Sequence, residues 1–86
     1  MKTRITQAFG IKYPIILSGM SWISTPELVA AVSNAGGLGI LATGVMSAEE
    51  TLEAIRKTRA LTKKPFAANV TLYFPGAEKN AEVIIK

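Results

Sequence analysis

Three short stretches of this chain carry residue types suited to holding a ligand: Gly19-Met20-Ser21, Thr43-Gly44, and Asn69 through Leu72. Gly19 would let a ligand approach the backbone closely, and Met20 offers a soft apolar surface to a flat ring system. Asn69 brings an amide with both donors and acceptors, which suits the edge of a heterocycle. Each has a plainer reading beside it. Gly19 and Met20 serve equally as a tight turn and a core methionine. Asn69 is disfavoured in a strand and costly to bury alone, so it could instead be a structural asparagine bonded to a neighbouring loop.

Other chemistries are excluded by composition. The chain has no cysteine and no histidine. Disulfides, thiolate metal sites and imidazole bases are therefore absent, and Ser-His or Cys-His catalysis cannot be built from these residues. The six acids, Glu27, Glu49, Glu50, Glu53, Glu78 and Glu82, all fall on expected helices. None pairs as general acid and base at a strand end. The net charge of +4 is concentrated from Arg56 to Lys64, on and just after one helix. Aromatics are not interleaved with it, so it reads as a solvated face and not as a nucleic-acid surface. No unbroken apolar run, the longest being Leu28 to Val32, is long enough for a membrane span or a leader. A cytoplasmic protein is expected, with a small-molecule substrate and neither nucleic acid nor membrane as partner.

The elements that must position these residues follow from the apolar pattern. Ile5, Ala8 and Phe9 suit one or two helical turns ended by Gly10, a lid under the first strand. The stretch Tyr13 to Met20 is expected as a strand covered on both faces, with Pro14 at its first position. Ser24 with Glu27 forms a capping box, Pro26 sits in the first turn, and Leu28, Val29, Val32 and Ala35 make the buried stripe of a helix. Gly36-Gly37-Leu38-Gly39 follows a helix and precedes a strand, the reverse of the phosphate-binding order, so it reads as a helix stop with close helix-to-sheet packing.

Leu38 to Ala42 gives the second strand. Ser47 with Glu50 caps a second helix, whose buried face is expected at Leu52, Ile55 and Leu61. Phe66 to Leu72 gives a third strand, Pro75-Gly76 a loop, and Glu78 to Lys86 another helix. Strand starts near residues 14, 38 and 66 lie 24 and 28 residues apart, the length of a strand, a crossover helix and two loops. The fold class is therefore α/β with a parallel sheet, either open and doubly wound or closed as a barrel. Eight such units need ~250 residues, so three make about a third of a barrel. In either form the ligand face is at the carboxyl ends of the strands, where the three stretches named first all lie.

These residues also carry a resemblance. Tyr13-Pro14-Ile15-Ile16 leading to Gly19-Met20, then Ser24-Thr25-Pro26-Glu27-Leu28, Ala30 through Gly39, and Lys64-Pro65-Phe66 leading to Asn69-Val70, resemble the start of the nitronate monooxygenase family, also called 2-nitropropane dioxygenases. The likeness runs over nearly the whole chain. At this end that family is similar to the flavin-dependent enoyl-acyl-carrier-protein reductases, which use NADH. The resemblance implies an FMN-containing (β/α)8 TIM barrel, with residues 1–86 as the amino-terminal part of a single FMN-binding domain. It further implies that Gly19 and Met20 lie along the flavin, that Asn69 bonds the isoalloxazine edge, and that Ser21 adjoins them. The phosphate-binding glycine turns and the family's histidine lie outside these residues, so no catalytic residue is expected in this chain. Ser18 and Ala68 stand where relatives often carry other small residues.

Two readings of other classes stand beside it. Three parallel strands leave two open edges, which need the remainder of the barrel or another chain to cover them. The segment would then be a non-catalytic fragment or partner subunit. A small flavodoxin-like binding domain would need five strands and more chain.

Overall fold

The computed structural model describes residues 2–70 and 77–85. Helix α1 (Arg4–Phe9) opens on a capping box between Thr3 and Thr6, and Gly10 closes it in the left-handed conformation, φ 67°. The chain then passes under the amino ends of the sheet, where Lys12 N and Tyr13 N both donate to Gly36 O at 2.9 Å. Ile5 and Phe9 stay exposed. So α1 flanks the sheet's lower edge without sealing it as the expected lid.

Strand β1 is Ile16–Leu17, β2 is Leu38–Leu41 and β3 is Phe66–Ala68. They form one parallel sheet in the order β1-β2-β3. Leu17 pairs with Gly39, Gly39 with Phe66, and Leu41 with Ala68. The first strand is much shorter than the apolar run suggested, and Ile15 is 63% exposed. It lies at the sheet edge with a partner on one side only, so its continuous hydrophobicity finds no second cover here. β3 is likewise shorter than expected; Thr71 to Gly76, which held the end of that strand and the Pro75-Gly76 loop, lie outside the described residues.

Crossover helices α2 (Pro26–Asn34) and α3 (Ala48–Leu61) pack side by side, and α4 (Ala77–Ile85) packs against α3. Val29 of α2, Leu41 of β2 and Ala54 of α3 form the buried cluster, with Leu17, Ile55, Phe66 and Ala68 around it. The cluster draws on one face of the sheet, so α2 and α3 form a single layer over that face. Three expectations about these helices change. The buried residues of α2 are Val29, Ala30 and Ser33, while Leu28 and Ala35 of the expected stripe are exposed. The α2 cap is Thr25, whose side chain accepts from Leu28 N at 3.4 Å, because Ser24 is drawn inward to other partners. The buried face of α3 is Thr51, Ala54 and Thr58, while Leu52 and Leu61 are exposed. The Ser47–Glu50 capping box forms as expected.

Candidate functional site at the carboxyl ends of the strands

Gly19, Thr43 and Asn69 follow β1, β2 and β3 and meet above the sheet. Asn69 N donates to Leu41 O at 3.1 Å, which extends the β2–β3 ladder by one step. Its side-chain oxygen Oδ1 accepts from Thr43 N at 2.7 Å. The Thr43 hydroxyl donates to the Asn69 carbonyl oxygen. With Oδ1 committed to an N–H donor, the nitrogen Nδ2 must occupy the other side of the amide. That side faces Gly19: a Cβ built there would lie 3.1 Å from Asn69 Cγ, 3.3 Å from Nδ2 and 3.2 Å from Leu41 O. Nδ2 has no hydrogen-bond partner among the described residues. Asn69 therefore does both things its type allowed. It braces the neighbouring loop through oxygen and holds an uncommitted donor over a backbone without side chain.

The loop carrying Met20 is shaped from beneath by Ser24. Its Oγ donates to Ser18 O at 2.5 Å and accepts from Met20 N at 3.0 Å, and the residue is only 2% exposed. Met20 O accepts from Ile23 N and Ser24 N at 3.0 and 2.8 Å. These bonds close a tight turn whose side chains point outward: Met20 is 41% exposed and Trp22 is 83% exposed. Met20 is thus not a core methionine of these residues. Ser21 is half-buried in the same turn. Trp22 has φ 61°, a conformation that bulky side chains rarely adopt. Beside the turn lies a cavity of about 300 Å³, walled by Trp22, Pro26, Ala42, Val45 and Met46, with Glu50 at its margin.

A third layer fixes the β2–α3 loop. Asn80 of α4 is 3% exposed, and its Nδ2 donates to Thr43 O at 3.1 Å and to Met46 O at 2.9 Å. Thr43 is fully buried with its amide N–H, carbonyl and hydroxyl all engaged. The structure thus brings together Gly19 and Asn69, sets Met20 and Ser21 on the adjoining turn, and adds Thr43, Ser24 and Asn80. Reading the sequence placed Thr43 at a strand end on the ligand face with no role of its own, and Ser24 at a cap. The signal for Asn80 was an asparagine in the middle of a helix, where the residue competes poorly unless its amide is used.

The site is uncharged. Among the described residues no group of acids is placed to hold a metal ion, and no helix is long and apolar enough to cross a membrane. The donor, the bare backbone of Gly19 and the exposed thioether suit a flat heterocycle with acceptor atoms on its edge, held at the carboxyl face of a parallel α/β sheet.

Comparison with known proteins agrees with that class. Residues 2–85 match the nitronate monooxygenase family, and the chain belongs to it. A nitronate monooxygenase of Paraburkholderia phytofirmans is 49% identical over 82 residues, covering 95% of this chain and 22% of the relative. A (3aS,4S,5R,7aS)-5-hydroxy-7a-methyl-1-oxo-octahydro-1H-indene-4-carboxyl-CoA dehydrogenase of Rhodococcus jostii is 40% identical over all 86 residues, 24% of its own length. The structure of FabK from Thermotoga maritima superposes with a TM-score of 0.94 at 43% identity, covering 96% of this chain and 27% of that one. The chain spans about a quarter of the length of the relatives it matches.

Proposed function

We propose that these residues form one wall of the cofactor pocket of an FMN-dependent (β/α)8-barrel oxidoreductase that oxidises alkyl nitronates with molecular oxygen. Family membership and the 49% identity to a nitronate monooxygenase support the activity. The sequential parallel strands, with their crossover helices in one layer, support the barrel. The observation that carries the site is the Asn69 amide, braced through oxygen and open through nitrogen above Gly19.

FMN, when bound, supplies the electron transfer between nitronate and oxygen. The chain's own residues bind and orient. Gly19 and Met20 would hold the ring system, Asn69 would donate to it through its free Nδ2, and Ser21 adjoins them at the turn. The catalytic base and the phosphate contacts come from elsewhere in the whole protein, as do the remaining strands that cover β1. Replacing Asn69 with leucine in the full-length protein is expected to lower FMN retention. Unchanged flavin content and nitronate turnover would mean that Asn69 is structural only.

A second reading, an NADH-dependent reductase of enoyl thioesters, draws on the resemblance to the flavin-dependent enoyl-acyl-carrier-protein reductases at this end of the chain and on the superposition with FabK. NADH-dependent reduction of an enoyl thioester, without nitronate oxidation, would select it over the first.

A further inference from the structure

The geometry points to Thr43 as a positioning residue that fixes which end of the Asn69 amide faces the ligand, so that the site presents a hydrogen-bond donor and selects a cofactor edge bearing an acceptor. This rests on the flavin-pocket reading above and adds to it the polarity of the contact and the residue that sets it.

An asparagine amide can turn over about its last side-chain bond, exchanging a donor for an acceptor at nearly the same place. Thr43 removes that freedom twice. Its backbone N–H donates to Oδ1 at 2.7 Å, which only an oxygen can accept. Its hydroxyl donates to the carbonyl oxygen of the same asparagine and so ties down the backbone from which the amide projects. A flipped amide would set two N–H donors against each other in a buried place, with the loss of a hydrogen bond and an unpaired group in addition.

Thr43 can impose this because it cannot move. It is fully buried, and its own carbonyl oxygen is held by Asn80 Nδ2 at 3.1 Å. The second bond from that nitrogen, to Met46 O at 2.9 Å, also sets the Asn80 amide, since an oxygen there would oppose two carbonyls. The chain of restraint runs from α4 through Thr43 to Asn69 and ends at the gap left by Gly19. A second-layer residue that orients a ligand contact in this way acts on affinity without touching the ligand.

The test uses the full-length protein. In the flavin-free form, NMR should detect a scalar coupling across the hydrogen bond between the Thr43 amide nitrogen and the Asn69 side-chain carbonyl carbon. Its absence overturns the proposal and needs no variant to fold. FMN affinity is then titrated for Thr43→Val, Thr43→Ser and Asn69→Leu. Thr43→Val keeps the amide N–H that orients Oδ1 and removes only the hydroxyl that anchors the Asn69 backbone; it should weaken FMN binding about three- to tenfold, the worth of one ordinary hydrogen bond. Thr43→Ser should restore it, and Thr43→Val should add nothing in the Asn69→Leu background. A full additional loss in that background would show that Thr43 acts independently of Asn69 and would sink the inference alone. No loss from Asn69→Leu itself would instead overturn the flavin contact on which it rests.

Discussion

Gly39 lies directly against Val29. A Cβ on Gly39 would stand 2.5 Å from the Val29 carbonyl oxygen, 2.8 Å from its Cγ1 and 2.9 Å from its Cα. Helix α2 therefore rests on the backbone of β2 with no side chain between them. Because the contact is with backbone, the clash cannot be relieved by turning a rotamer. Gly39→Ala should destabilise the fold by about 2–3 kcal/mol, the upper part of the range for overpacking. A denaturant midpoint unchanged from the parent would show that α2 can lift off β2 freely.

Asn80 is expected to matter as much as a core aliphatic residue. Asn80→Ala leaves the carbonyls of Thr43 and Met46 without their donor in a buried place, at a cost of about 2–4 kcal/mol. Thermal denaturation measures it. A shift below 1 °C would mean that solvent reaches both carbonyls.

Trp22 should behave in the opposite way. Its backbone is held at φ 61° and its ring is mostly in water, so the strain is offset by little burial. Asparagine tolerates that conformation, and Trp22→Asn is expected to stabilise the isolated turn by about 1 kcal/mol. A lowered melting temperature would show that the indole packs against a part of the protein outside these residues.

The Lys57–Glu27 pair joins α3 to α2 at 2.6 Å, with both side chains more than half exposed. The hydrogen bond from Lys57 holds the Glu27 carboxyl below its ordinary value of 4.5. A depressed carboxylate favours the folded state above the unfolded value, and this small contribution disappears as the pH falls through the folded value. An NMR titration should place Glu27 below 4.5, and Lys57→Met should raise it, since the largest cause of the shift is removed while the backbone and Thr25 hydrogen bonds remain. A Glu27 titration unaffected by Lys57→Met would show the pair to be open in solution.

Regular elements were legible in the sequence wherever one local rule was enough. Ser47 and Glu50 define the start of α3, and Gly10 the end of α1, because the partners lie within four residues. That three parallel strands alternate with crossover helices followed from the spacing of their apolar runs. Burial was legible only in part. Of the large apolar residues of α3, Ile55 packs against the core as expected, but Leu52 and Leu61 are exposed, and Thr51 and Thr58 occupy the covered face. Which stripe of a helix is buried depends on how closely its neighbour approaches, and that distance is not local information.

The same limit governed the site. Gly19, Met20 and Asn69 stood out as types, Thr43 was placed on the ligand face by position alone, and Asn80 was not singled out. Their roles arise from bonds spanning 26 and 37 residues. Ser24 was misread for a related reason. Its sequence neighbourhood satisfies a capping box, but its hydroxyl reaches back to Ser18 and leaves the cap to Thr25.

The hydroxyl-lined face of α3 has a thermal consequence. Among the described residues, Thr43, Thr51, Thr58, Ser24 and Ser33 are as deeply buried as Val29 and Leu41, beside Ala30, Leu38, Ala42 and Ala54. Exposing apolar surface raises the heat capacity on unfolding and exposing polar surface lowers it. This part of the protein should therefore unfold with a heat-capacity increment below the usual ~12–15 cal/mol/K per residue. Its stability should change little between cold and warm conditions, so calorimetry should find it holding its shape over a broad, flat range of temperature.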